Sequence, residues 1–343
     1  MSSNSTKSPK KFSKEIYPRH KHFANRLKQT LAVLFSLWTL IVAPFCIISI
    51  LLLFGFYTLL WPFAGLYLVW YLYDIKQPCR GSRPREYVKN WQIWRHIVDY
   101  FPIEIHKTAE IPPTQNYIFS AHPHGILGSS SMLLFSSNAH NTQKLFPGID
   151  LHGIISCNPE SISYVLSRPK MGNAVGIVPG GAAESLESFP NVHRIILKNR
   201  KGFVRLAIKN GASLVPVYHF GESSLFRQIS TKEFSLARKF QNLVKRWTSV
   251  AFPFAYGQNF LASFLPVDYI HKLPRLLTIG LLPFRNKVVT VVGAPIPVKK
   301  NENPSEDLVD KVHAEYCLRL REMFNQYKTK LAGLPTDAEL QFL

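Results

Sequence analysis

His122-Pro123-His124-Gly125 is the stretch of this chain best suited to chemistry. It directly follows Tyr117–Ala121, a short apolar run that fits a buried strand. Proline ends the strand's hydrogen-bond ladder, and glycine lets a substrate approach the backbone. An imidazole that titrates near neutral pH can take a proton from an alcohol and so make it nucleophilic. Histidines at this spacing can also be metal ligands, although no third ligand stands at a recognised distance along the chain. Structural histidines in a tight turn are the third reading.

Val178-Pro179-Gly180-Gly181-Ala182-Ala183-Glu184-Ser185 is a strand end, a run of small residues and a carboxylate. Small residues expose backbone N–H groups that can hold an oxyanion. Glu184 can orient a histidine or pair with a cation. It can also simply favour the first turn of a helix. Further on, Lys198-Asn199-Arg200-Lys201-Gly202-Phe203 sets three cations just before a helix start, either a phosphate site or a basic surface loop. Leu214-Val215-Pro216-Val217 and Phe220-Gly221-Glu222 follow it. Tyr100-Phe101-Pro102 reads as packing.

These blocks need elements to position them. The pattern predicts strands at Tyr117–Ala121, Ala174–Val178, Ile195–Leu197, Leu214–Tyr218 and Val288–Val292. It predicts helices at Ile126–Ser137 and Phe203–Asn210, the latter stopped by Gly211. A long C-terminal helix starts at an Asn303 cap with Pro304 in its first turn. Leu308, Val312, Tyr316, Leu320, Phe324, Tyr327 and Leu331 form its apolar stripe. Helices interleaved with buried strands give an α/β fold, a mixed sheet flanked by helices.

The chain has 343 residues, 46% of them apolar and 18% charged, which excludes a disordered tail protein. Cys46, Cys79, Cys157 and Cys317 stand far apart, which excludes a disulfide scaffold and a zinc ribbon. From Leu31 to Tyr73 there is no charged residue and no histidine. A spanning helix needs ~20 apolar residues, so this run has room for two passes, with a hairpin apex at Gly55. Both flanks are basic, which predicts both on the cytoplasmic side. The expected organisation is a disordered basic tail over 1–28, a transmembrane hairpin over 29–75 and a cytosol-facing domain over 76–343. The net charge of +20 carries no nucleic-acid motif with it and fits anionic lipid headgroups or an acyl-CoA.

The chain resembles the diacylglycerol acyltransferase type-2 family, which includes monoacylglycerol and wax-alcohol acyltransferases. The resemblance rests on WQIWRHIVDYFPI, HPHG, GGAAESL, KNRKGFVRLAIKNGASLVPVYHFGE and TVVGAPIPV, and covers roughly residues 31 to 343 in order. It implies a glycerolipid-acyltransferase-like fold behind an N-terminal membrane-embedded helical hairpin. It implies transfer of a fatty acyl group from acyl-CoA to diacylglycerol, giving triacylglycerol. Monoacylglycerol or a long-chain alcohol is the alternative acceptor. His124, or else His122, would be the base, and Glu184 would orient and polarise it. N–H groups near Gly125, Gly180 and Gly181 would hold the oxyanion, and Arg200, Lys201 and Gly202 would receive acyl-CoA. No metal and no resident cofactor is implied. The place implied is the endoplasmic reticulum membrane or a lipid droplet surface, among membrane lipids, with a homo-oligomer left open.

Two departures stand out. Wider glycerolipid acyltransferases carry an Asp five positions after the His; here Leu127 and Ser129 fill the corresponding positions, and Glu184 is the candidate replacement. Family members also hold a strand and an aromatic, Arg-containing helix after the Phe146-Pro147-Gly148 stretch. Here only IDLHGIIS separates Gly148 from Cys157. Loss of such a segment from the core supports a second class of reading, an inactive acyltransferase-like membrane protein.

Overall fold

The computed structural model describes residues 19–81, 83–153, 158–229, 239, 241, 243, 253–265, 267–270 and 272–343. Helix α1 (Arg19–Leu37) runs through a π-helical turn, Trp38–Val42, into α2 (Ala43–Phe56). The π turn sits where Pro44 withholds the N–H that the Leu40 carbonyl would otherwise accept. Helix α1 begins inside the stretch expected to be a disordered tail; residues 1–18 of that tail lie outside the described residues. Tyr57 is extended (φ −106°, ψ 102°), a 3-10 turn covers Thr58–Leu60, and α3 (Trp61–Asp74) packs against α2. The turn therefore falls beyond the apex expected at Gly55.

Helices α2 and α3 have 14 residues each. That is about 21 Å, short of the ~30 Å hydrocarbon layer. Among the described residues no helix is long and apolar enough to cross a membrane. The two helices are nonetheless apolar on their exposed faces: Phe45, Ile48, Leu52, Phe63, Leu66 and Val69 all face outward, and α3 buries no described residue. Helix α1 differs, burying Ala32 and Val33 against Ile97, Tyr100 and Phe101.

After α3 come α4 (Glu86–Lys89) and α5 (Gln92–Tyr100), then β1 (Ile103–Lys107) and β2 (Tyr117–His122). Helices α6 (Ser129–Ser136) and α7 (Thr142–Leu145) lead to β3 (Asp150–Gly153), and α8 (Pro159–Leu166) to β4 (Asn173–Ile177). Helix α9 (Gly181–Ser185), β5 (Arg194–Ile195) and α10 (Gly202–Asn210) precede β6 (Ser213–Phe220). A small sheet of β7 (Arg227–Gln228), β8 (Ala255–Gln258) and β9 (Ile279–Gly280) stands apart. Strand β10 (Val288–Val292), the C-terminal helix Glu306–Tyr327 and β11 (Gln341–Phe342) complete the chain.

The main sheet has six strands in the order β1-β10-β6-β2-β4-β3, parallel throughout except at β10–β6. Strand β2 shows how both faces are covered. Tyr117, Phe119 and Ala121 join one core cluster with Leu134, Phe135 and Phe146. Ile118, on the opposite face, joins the other with α8, α10 and the C-terminal helix. A strand buried on both faces reads as an unbroken apolar run, which is why β2, β4, β6 and β10 are visible in the sequence.

Three expected elements shift. The helix predicted from Ile126 starts at Ser129, because the His124–Gly128 segment is a loop that ends with Gly128 left-handed (φ 66°). The strand at Ile195–Leu197 is the two-residue β5, which pairs with β11 outside the main sheet. The C-terminal helix is capped by Ser305, which accepts the Leu308 N–H, and not by Asn303. Its stripe faces the core as expected, with Tyr316, Leu320 and Phe324 fully buried and Leu308, Val312 and Tyr327 packed alongside.

Candidate active site

Strands β6, β2 and β4 are parallel neighbours, so their carboxyl ends lie at one edge of the sheet. The HPHG loop leaves β2 there, flanked by Glu184 from the turn after β4 and Glu222 from the turn after β6. Carboxyl edges of parallel strands are where open α/β sheets bind ligands.

Side-chain alternation separates the two histidines. His122 is the last residue of β2 and is fully buried. Its Nε2 lies 3.1 Å from the Tyr316 hydroxyl, which donates to the Ser120 carbonyl at 3.1 Å. Burial, with a contribution from His219, pushes its pKa down to about 3. His122 is therefore a neutral group enclosed in the core, whereas His124 is partly open. The His122–Pro123 peptide is cis.

His124 lies past the strand and is only partly covered. Its Nδ1 is 3.1 Å from the Gly125 carbonyl. A carbonyl only accepts, so this bond puts the proton on Nδ1 and leaves the Nε2 lone pair for a substrate proton. Burial lowers the pKa of His124 from its usual value, so the ring is neutral at physiological pH. Gly125 has φ +66°, and a Cβ there would stand 2.6 Å from Glu222 Cγ, so the position needs glycine twice over.

Glu184 is buried, and its carboxylate takes backbone donors. Oε2 accepts the His124 N–H at 2.7 Å and Oε1 accepts the Ile196 N–H at 2.9 Å. This differs from the expectation that Glu184 polarises the imidazole; it fixes the loop that carries the ring. The side chain folds back onto Gly180, where a Cβ would collide with the carboxylate. Burial raises the Glu184 pKa to about 7, against the two backbone donors and the nearby charge of Arg200. The Gly181 N–H donates to the Val178 carbonyl at 3.1 Å and is thus already engaged.

A cavity of about 450 Å³ opens beside this edge, lined by Ile177, Pro179, Arg200, Lys201, Gly202 and Lys209 among others. The three residues expected to meet acyl-CoA all line it. Lys201 pairs with Asp310 at 2.6 Å and Arg205 with Glu306 at 2.6 Å, both on the C-terminal helix. Tyr100-Phe101-Pro102 lies at this same edge, because Ile103 pairs with Val288 and Val289 with Phe220 at the end of β6. Tyr100 and Phe101 share a core cluster with Ile126 and Leu127 of the HPHG loop. Tyr100 donates to the Pro283 carbonyl at 2.6 Å, and the Arg285 guanidinium lies 3.9 Å above its ring.

Sequence reasoning gave no role to Glu222 and placed Tyr316 only in an apolar stripe. The available signal was a carboxylate directly after a mostly apolar strand and a glycine.

The family model described as diacylglycerol acyltransferase matches residues 53–152 and 149–343. The two stretches meet at β3. Mouse acyl-CoA wax alcohol acyltransferase 1 is 39% identical over 322 residues, covering 88% of this chain and 93% of the relative. Mouse diacylglycerol O-acyltransferase 2 is 38% identical over 313 residues, covering 85% of this chain and 77% of the relative. The human diacylglycerol O-acyltransferase 2 is 37% identical with the same coverage. An alignment of 322 positions that takes in 88% of 343 residues leaves about 20 positions filled by the relative alone. No solved structure matches the chain. With a family match over nearly the whole described fold and relatives of this similarity, the chain belongs to the diacylglycerol acyltransferase family.

Proposed function

We propose that this chain is a membrane-bound acyltransferase that moves a fatty acyl group from acyl-CoA to the free hydroxyl of diacylglycerol. The observation that carries the reading is the HPHG loop at the carboxyl edge, with His124 Nε2 left as a base in a member of this family. The hydroxyl proton passes to Nε2 as the hydroxyl oxygen attacks the thioester carbonyl. The C–S bond then breaks, and the thiolate leaves with the proton returned by the imidazolium, giving triacylglycerol and free coenzyme A. Glu184 holds the His124 backbone in place. Backbone N–H groups near Gly125 and Gly180 face the developing oxyanion. Arg200, Lys201 and Gly202 receive the phosphates of acyl-CoA at the start of α10. Acyl-CoA is a co-substrate, and the reaction needs no metal.

Helices α2 and α3 are proposed to lie in the endoplasmic reticulum membrane, with residues 1–28 and 76–343 on the cytosolic side. The uncharged run, the outward apolar side chains and the basic flanks support this. A second apolar patch supports it too: Leu261, Leu276, Leu277 and Leu281 are strongly exposed in the segment that packs on α1, where Phe23 stacks on Phe264. Protease treatment of sealed microsomes should remove tags from both ends.

One assay tests the reaction: microsomes, labelled oleoyl-CoA and a panel of diacylglycerol, monoacylglycerol and long-chain alcohol. Labelled triacylglycerol is expected. A long-chain alcohol as preferred acceptor is the second reading, since a wax alcohol acyltransferase is as similar to this chain as a diacylglycerol O-acyltransferase. No product from any acceptor would leave the non-catalytic reading.

A further inference from the structure

We infer that Glu222 is a positioning residue for His124, holding the loop from the side opposite Glu184; this rests on His124 as the reacting base. Helix α6 begins directly after the His124–Gly128 loop, and its cap position is Gly128, which has no side chain to satisfy the first N–H groups. Glu222 supplies that cap from the end of β6. Its Oε1 accepts the Ser129 N–H at 2.8 Å, and Oε2 accepts the Ser130 N–H at 3.2 Å together with the Ser130 hydroxyl. The carboxylate is 2% exposed, and its Cγ packs where Gly125 has no Cβ.

The loop is consequently tied at both ends by carboxylates from the two strands that flank β2. Glu184 fixes the N–H of His124, and Glu222 fixes the first turn of α6 and touches Gly125. Between these ties the imidazole has one backbone path. A misplacement of ~1 Å at a reacting group can cost ~10²-fold in rate, so a remote cap of this kind sets the rate without touching substrate.

The test uses the full chain in membranes, with Glu222→Gln and Ser130→Ala. Glutamine keeps one acceptor oxygen but presents an amide to the second N–H. Ser130→Ala removes one hydroxyl and leaves the backbone bonds. For Glu222→Gln the expected result is kcat lowered at least ~10-fold, with KM for acyl-CoA and acceptor within about 3-fold. Ser130→Ala should lower kcat less. A second readout needs no turnover: carbethoxylation of His124 by diethyl pyrocarbonate, followed by peptide mass spectrometry. His124 should react at least about 3-fold faster in Glu222→Gln because its loop is freed, with His106 on β1 unchanged as control. Wild-type rates for both kcat and His124 labelling would overturn the inference. So would lost abundance with unchanged His124 labelling in the remaining protein. If the wild type itself turns over no acceptor, the proposed function fails, while the labelling arm still decides the role of Glu222.

Discussion

Glu184 grips the backbone of His124, not its imidazole, and with its second oxygen it grips Ile196 as well. One buried carboxylate thus joins the HPHG loop to the segment that leads into Lys198–Gly202. Removing it leaves two interior N–H groups without acceptors, at ~1–3 kcal/mol each. Glu184→Ala should therefore accumulate poorly. Glu184→Gln retains one acceptor and should accumulate normally with activity reduced about 10-fold or more. Quantitative blotting beside the oleoyl-CoA assay separates the two; equal abundance and equal activity in both would contradict the bonding.

The histidines should part company on mutation. His124→Asn removes the base and should lower kcat ~10²–10⁴-fold at unchanged protein level. His122→Asn disturbs a buried bond to Tyr316 and should act on protein level first, with activity per surviving molecule less affected. Reversal of that pattern would move the base to His122.

Titration of Glu184 gives a signed pH effect. Burial raises its pKa from 4.5 to about 7 in the folded chain. Between those values the folded chain holds a proton that the unfolded chain has released. The stabilisation is complete below about 4.5 and is lost as pH rises through about 7. His122 and His219 act oppositely: burial takes each from 6.5 to about 3, so their contribution is present above 6.5 and lost as pH falls. Thermal inactivation midpoints of wild type and Glu184→Gln, measured from pH 5 to 8, isolate the carboxyl. The wild type's advantage should shrink as pH rises; a pH-independent gap would show that Glu184 does not titrate there.

The basic cavity should show itself in KM. Arg200→Ala removes a cation from the cavity rim and should raise the KM for acyl-CoA ~10-fold with little change in kcat. Added salt should narrow the difference, because charges facing solvent are screened within ~10 Å at 0.1 M. A kcat effect with unchanged KM would take acyl-CoA elsewhere.

How much of this was legible beforehand depends on the residues. Strands buried on both faces announce themselves as apolar runs, and Val288–Val292 matches its strand residue for residue. Strand β1, with the sequence IEIHK, lies at the sheet's edge, where charges are tolerated, so its pattern gave no buried-strand signal. The HPHG and GGAAE blocks were visible as chemistry, yet the bond from Glu184 to a backbone N–H was not. Sequence names side chains, whereas that contact depends on a parallel β2–β4 register. Glu222 was missed for the same reason: its partners, Ser129 and Ser130, stand more than 90 residues earlier.

The short interval after Gly148 now has a location. It takes in β3, which among the described residues is an edge strand paired with β4, so β6, β2 and β4 stay joined. A segment lost at an edge leaves fewer buried backbone groups unpaired than one lost from the centre of the sheet. A version carrying the family's segment should accumulate better, while this chain should keep measurable triacylglycerol synthesis per molecule. Expression of both forms in the same membranes, normalised to protein, checks this; total inactivity of this chain alone would place the lost segment in the site itself.

The packing of Glu184 against Gly180 also bears on how the site can vary. Any side chain at 180 meets the carboxylate, so a lineage or a directed library that enlarges position 180 must move Glu184 off the His124 and Ile196 N–H groups that it accepts. Diversity introduced at 180 should therefore survive chiefly where 184 changes with it.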